Sequence, residues 1–180
     1  MTIQSVSITN LYGNDYKWQL KPDVNILIGA NGTYKSTILA LIRGIKSKDK
    51  ETTVKIIKQE DSTIRSVPSI DFNYGLTFEN KRGTEFIKRI IPNYKGVLVR
   101  HSDGVQQLAN ILYIASSANK QLVLFLDNPE NNLHIDWQEK LIDWIRELNP
   151  TCQIIMTTHS PDIVSHYNDK VFSIKDIKVN

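Results

Sequence analysis

The stretch GANGTYKST, residues 29–37, carries residue types at a spacing that can do chemistry. Gly29, Lys35 and Ser36 fall in register with the phosphate-binding pattern G-x-x-x-x-G-K-[ST]. In such a loop the backbone N–H groups of Ala30, Asn31, Gly32, Thr33 and Tyr34 face the phosphates. The first amides of the following helix, at Lys35, Ser36 and Thr37, do the same. The Lys35 ammonium then reaches the β- and γ-phosphates, and the Ser36 hydroxyl ligates Mg²⁺. One position departs from the pattern. Tyr34 stands where the last glycine is expected, and glycine there permits a positive φ and close backbone approach. Tyrosine tolerates that backbone badly. The bland alternative for the stretch is a structural turn.

Three more pieces follow in order. QLVLFLDNPE ends an apolar run on Asp127. A carboxylate there needs a partner, and Mg²⁺ shared with Ser36 would be one; a helix cap is the alternative. TTHSP places His159 just after another apolar run. Parallel strands present ligand groups at their carboxyl ends, so Lys35, Asp127 and His159 can converge, with His159 sensing a γ-phosphate. By itself His159 would be an ordinary loop histidine. HSDGVQQL offers Ser102 as a helix N-cap; the same Ser-x-Gly, with Gly104, is also an anion site at a helix start.

The elements that must position these groups are readable. Residues 3–10 and 15–20 alternate apolar and polar around YGND, which predicts a hairpin or meander. VNILIG (24–29) reads as a strand buried on both faces. From Lys35 to about Ile45, apolar residues Ile38, Leu41, Ile42 and Ile45 recur at helical spacing. TTVKIIKQ, STIRSV and SIDFNYGLTF look like strands and GTEFIKRII like a short helix. The lysine-rich KSKDKETTVKIIK reads as a solvated turn and strand face, with an anionic partner as the alternative. A helix from about Asp103 to Ala118 and another over 135–148, with Trp137, Leu141, Ile145 and Leu148 on its stripe, flank the apolar strands QLVLFLD and CQIIMTT. Strands alternating with helices predict an α/β fold with a mainly parallel central sheet, helices on its faces and an antiparallel N-terminal β subdomain.

The 180 residues are expected to form a single domain, 1–180, burying roughly 70% of the extended-chain surface. With 41% hydrophobic and 23% charged residues the chain reads as an ordinary globular protein. A net charge of +3 is compatible with a nucleic-acid partner without indicating one. The single Cys152 excludes an internal disulfide and fits a reducing cytosol. No run reads as a signal peptide or membrane span, so a cytoplasmic location is expected.

The order of the four pieces resembles the ATP-binding-cassette ATPases, and within them the SMC, RecF and OLD (overcoming lysogenization defect) heads. GANGTYKST is similar to their GxNGxGKST Walker A loop. HSDGVQQL is similar to the LSGGE signature at Ser102 and Gly104, but not at His101 or Val105. LFLDNPENNLH resembles hhDEPExxLHP, and TTHSP the switch histidine. The resemblance implies ATP and Mg²⁺ as ligands and two heads packed head to tail. Ser102 and Gly104 would then contact the partner's nucleotide. It also implies an early aromatic stacked on adenine (Tyr12, with Tyr16 and Trp18 as rivals) and a Mg²⁺-contacting glutamine, Gln59. Asn128 falls where the family has the water-polarising glutamate, and an amide is no base near neutral pH. The expectation is a head that binds ATP–Mg²⁺ and dimerises or docks in response, with weak or absent hydrolysis. Two alternatives stand beside it. One is an active ATPase serving a separate nuclease in DNA repair or phage defence. The other is a regulatory or decoy subunit without nucleotide.

Overall fold

Val6 and Ile8 alternate onto one face, and register shifts between Ile3 and Ser5 and between Ile8 and Leu11 bring Ile3 and Leu11 into the same core. In a computed structural model, described for residues 2–47, 51–58, 79–97, 99–117 and 122–179, β1 (Ile3–Leu11) and β2 (Asn14–Gln19) form an antiparallel hairpin. The edge strand β4 (Thr53–Lys58) joins β1, and the short β8 (Lys178–Val179) joins β2, giving the order β4-β1-β2-β8. The faces of β4 are mostly exposed, in keeping with its lysine-rich sequence.

The apolar runs build the second sheet. β3 (Val24–Ile28), β5 (Val123–Asp127), β6 (Gln153–Thr157) and β7 (Val171–Ser173) are all parallel, in the order β5-β6-β3-β7. Because side chains alternate along a strand, both faces are apolar. Val24, Ile26, Leu124, Leu126, Ile154 and Met156 pack into one core with α2 (Lys81–Ile90), α3 (Asp103–Ser117) and α4 (Ile135–Leu148). Leu27, Val123, Phe125 and Ile155 pack into the other, with α1 (Lys35–Ile42) and the inner face of the hairpin. Each such side chain contributes about 1.5–3 kcal/mol on burial, so α1 is held from two sides at the end of β3.

One buried amide joins the two sheets and another holds the segment that connects them. Gln153 accepts from Ile3 N at 2.7 Å and donates to Ile3 O at 2.9 Å and Lys21 O at 2.7 Å. Asn25 accepts from Lys21 N and donates to Lys21 O. These bonds fix the start of the hairpin relative to the starts of β3 and β6.

The helix after the loop is shorter than its sequence suggests. It ends at Ile42, and Ile45 is 51% exposed rather than on the buried stripe. Gly44, at φ 90, accounts for this. Gly44 N bonds Leu41 O and Ile45 N bonds Ala40 O, the paired closure that a left-handed glycine makes at a helix end. By contrast α3 and α4 span nearly the residues expected. The C-terminal run of α5 (Pro161–Val164), β7, α6 (Ile174–Ile177) and β8 was not legible from periodicity. The expected strands at 62–67 and 69–78 lie outside the described residues.

Candidate functional site

The loop between β3 and α1 keeps the backbone of a phosphate loop despite its tyrosine. Tyr34 is the N-cap of α1, at φ 64 and ψ 16, and its carbonyl accepts Ile38 N at 2.8 Å. The left-handed conformation that glycine would take freely is thus imposed on a tyrosine, at about 1–2 kcal/mol. The Tyr34 ring leaves the loop and stacks on Tyr12, with centroids 4.9 Å apart and planes at 27°. Such a pair returns about 0.5–1.5 kcal/mol. No side chain caps α1, so its first amides remain available to an anion. Gly32 is at φ 78. Gly29 is required for space, since a Cβ there would lie 2.9 Å from Thr33 Oγ1 and 3.0 Å from Ile174 Cγ2.

Lys35 is only 5% exposed, and its ammonium donates to Gly29 O at 2.9 Å and Ala30 O at 3.1 Å. Burial lowers its pKa, and the carboxylates of Asp127 and Glu130 oppose that shift. A buried ammonium satisfied by the loop's own carbonyls is poised for an anion: a phosphate would supply the charge that burial denies it.

Ser36 and Asp127, 91 residues apart, meet directly: Ser36 Oγ donates to Asp127 Oδ1 at 2.9 Å. Thr157 Oγ1, on the neighbouring strand, donates to the same oxygen. The parallel pairing of β5 with β6 puts Asp127 opposite Thr157. Asp127 is exposed, so its carboxylate faces the loop mouth rather than the core. A hydroxyl and a carboxylate make the hard oxygen set that Mg²⁺ accepts alongside water and phosphate oxygens, and these residues fit that ion. Gln59, the other expected metal contact, lies outside the described residues.

Beyond Asp127 the chain turns through Asn128 at φ 45. Asn128 N bonds both Thr157 O and Thr157 Oγ1 at 3.1 Å, and Nδ2 lies 3.4 Å from Asp127 Oδ1. The Asn128 Oδ1 atom is buried and has no partner among the described residues. Glu130, two residues on, is fully engaged elsewhere. Its Oε2 accepts Thr158 Oγ1 at 2.8 Å and its Oε1 accepts His159 N at 2.7 Å. The structure thus gives Glu130 a task that the sequence did not disclose: it ties the strand end carrying His159 to the turn after Asp127. Gln138 adds a second tie, donating to Leu133 O at 2.9 Å and accepting Ser160 Oγ at 2.7 Å. The His159 side chain itself is exposed.

Ser102 and Gly104 lie at the start of α3. Ser102 O accepts Gln106 N at 3.0 Å and its side chain is exposed. Gly104 is buried, and a Cβ would come within 2.2 Å of Asn132 O. Gly104 therefore has a reason within its own subunit: it lets α3 approach the turn after Asp127. Gln107 reinforces that contact by donating to Pro129 O at 2.6 Å. Of the aromatic candidates for a base, Tyr16 and Trp18 are buried, and Tyr12 is exposed at the β1–β2 turn. Burial, with a smaller effect of Tyr34, raises the Tyr16 pKa.

Comparison with known proteins agrees with this geometry. Residues 97–165 match the AAA_21 family model, described as "AAA domain, putative AbiEii toxin, Type IV TA system". The zinc import ATP-binding protein ZnuC of Alcanivorax borkumensis is 26% identical over 97% of this chain and 74% of its own length. A probable metal transport system ATP-binding protein of Chlamydia pneumoniae is 33% identical, over 37% of this chain. The chain spans 27% of that relative's length and 63% of the Photobacterium profundum ZnuC it also matches. Among solved structures, a nucleotide-free ATP-binding cassette from an ABC transporter superposes with a TM-score of 0.65 at 16% identity, covering 96% of this chain and 87% of that one. An SMC head bound to the C-winged helix domain of ScpA gives 0.64 at 10% identity, over 92% and 91%. Two sheets of opposite character, with a phosphate loop leaving the parallel one, give this chain the α/β P-loop fold of the ATP-binding-cassette ATPases.

Proposed function

We propose that this chain is an ATP–Mg²⁺-binding head that uses bound nucleotide to dimerise or to dock on a partner, and that it hydrolyses ATP slowly or not at all. The observation that carries the reading is the meeting of Ser36 Oγ and Asp127 Oδ1 at 2.9 Å beside the buried Lys35 ammonium. Three residues from two distant segments supply a phosphate-seeking cation and a pair of oxygen donors for Mg²⁺. Slow turnover follows from chemistry at the next residue. The amide Oδ1 of Asn128 can accept a hydrogen bond from water but cannot take its proton. Glu130 has both oxygens committed to Thr158 and His159. Titration calorimetry with ATP–Mg²⁺ tests binding: wild type should give a saturable heat that Lys35→Ala abolishes. Equal, undetectable heats in both proteins would leave the decoy reading in its place.

The dimer reading is supported by the exposed Ser102 at the start of α3. Its hydroxyl has no hydrogen-bond partner among the described residues, which leaves it free for a second subunit's nucleotide. Sedimentation with and without ATP–Mg²⁺ should show a nucleotide-promoted dimer that Ser102→Arg disrupts. An unchanged monomer at high concentration would instead favour docking on a different protein, as the SMC head does with ScpA. A wild-type turnover typical of an active ATPase would favour the alternative of a motor serving a separate nuclease in DNA repair or phage defence.

A further inference from the structure

Among the described residues only two aromatic side chains are exposed, Tyr12 at 51% and Tyr34 at 39%, and they are stacked on each other. They come from different sheets. Tyr12 tops the antiparallel hairpin, and Tyr34 belongs to the loop that leaves parallel strand β3. Both sit in the left-handed region, at φ 49 and φ 64. Bulky L-residues rarely adopt that backbone, and glycine, which suits it, occupies the next turn position at Gly13. Two strained tyrosines that meet across a seam form a specific contact, and the Gln153 bonds to Ile3 tie the two sheets that carry them.

A nucleoside triphosphate with its phosphates on this loop must lay its base on the adjoining surface. An aromatic face turned to the loop rewards any base, because every base has a π-face to stack. Tyr34 directly precedes Lys35, so the Tyr12 face it covers is the one on the loop's side. The loop's own side chain therefore fills the place where a base would gain most. Resting on the phosphate-loop reading above, we infer that Tyr34 is an intramolecular stand-in for a nucleobase. It makes this site select for a triphosphate chain rather than for the base attached to it. Nucleoside triphosphates and inorganic tripolyphosphate then bind alike, and specificity lies in Lys35, Ser36 and the loop amides.

Calorimetry with ATP and with inorganic tripolyphosphate, each with Mg²⁺, tests this on the full chain. Wild type should bind the two with affinities within about threefold. Tyr34→Gly keeps the positive-φ backbone and uncovers Tyr12, so ATP should gain about tenfold over tripolyphosphate, the worth of one base–aromatic stack. Tyr34→Asn, which also tolerates this backbone but has no aromatic ring, should behave alike. The double variant Tyr12→Gly/Tyr34→Gly should lose that gain. Circular dichroism and melting check that each variant is folded. The inference is overturned if wild type already prefers ATP tenfold and Tyr34→Gly leaves that ratio unchanged. It is equally overturned if Tyr34→Gly tightens both ligands by the same factor, which would mark relief of backbone strain alone. If neither ligand binds wild type or any variant, the phosphate-loop reading itself falls, and this inference with it.

Discussion

At the start of α1 a tyrosine stands where a glycine is expected; at the end of β5 an asparagine stands where a carboxylate is expected. The first departure alters backbone geometry, and the surrounding structure absorbs it. Tyr34 takes the glycine-like φ of 64, its ring moves onto Tyr12, and Lys35 still reaches the loop carbonyls. The second departure concerns chemistry, and among the described residues of the same turn no free carboxylate takes its place. Asn128 also sits at positive φ, 45, but asparagine suits that backbone, and the nearest carboxylate of the same turn, Glu130, is committed to Thr158 and His159. A loop can bend around a side chain of the wrong shape. It cannot create a proton acceptor, because an amide stays neutral across the accessible pH range. The contrast also separates two kinds of strain: that at Tyr34 is offset by a ring contact, whereas that at Asn128 is intrinsic to the turn and well matched by its residue.

The largest effect is expected of Asn128→Glu. Restoring a base should raise single-turnover ATP hydrolysis by about 10²–10⁴-fold with little change in affinity. Glutamate at φ 45 should at the same time lower stability by about 1–2 kcal/mol, seen as a drop in melting temperature of several degrees. Ordinary turnover in the wild type would show that another group activates the water, and the chemical half of the contrast would collapse.

Gly104→Ala comes next. A Cβ 2.2 Å from Asn132 O forces the start of α3 away from the turn after Asp127. Denaturant melts should show a loss of about 1–3 kcal/mol. A neutral effect would mean that α3 shifts freely, and that Gly104 serves no purpose within its own subunit. This is also why Ser102→Arg, not a Gly104 variant, suits the dimer measurement.

Glu130→Ala should have a similar or smaller effect, about 1–3 kcal/mol, because it leaves the buried Thr158 hydroxyl and the His159 amide without their acceptor. Hydrogen exchange at His159 should accelerate, and Asn128→Glu should not rescue it. An unchanged His159 exchange rate would return Glu130 to the pool of candidate bases and blur the contrast.

The smallest effect concerns Cys152. It is fully buried, and burial pushes its thiol up to about 12. Native protein should therefore resist alkylation at pH 8, and unfolded protein should react at once. Rapid native labelling would indicate that β6, which carries Thr157, opens readily.

Much of this was legible in the chain because it depends on short-range pattern. VNILIG, QLVLFLD and CQIIMTT announced doubly buried strands, since a strand covered on both faces must be apolar on both. The stripe of Trp137, Leu141, Ile145 and Leu148 fixed α4 almost to the residue. Gly44 could have marked the end of α1, as a glycine after the last helical turn; the regular spacing of Ile45 masked it. β7, α6 and β8 escaped because they are too short to show a period, and their partners are distant in sequence.

The sequence by itself determined the identities that set the chemistry. Lysine, serine, aspartate and histidine stand in the order of a phosphate site, and an amide, Asn128, stands where the resemblance to the cassette heads implies a base. These are local, covalent facts, and no folding alters an amide's inability to hold a proton. Only the tertiary structure decided which groups meet. Ser36 and Asp127 are in contact because β3 and β5 flank β6 and end together. Glu130 is tied to the strand carrying His159 because the residues just after β6 supply two donors to it. Tyr34 finds a ring to lie on because the hairpin packs on the parallel sheet and is tied to it through Gln153. Such pairings join residues as far apart in sequence as Ser36 and Asp127, 91 positions, so they follow from how the elements pack and not from any local spacing.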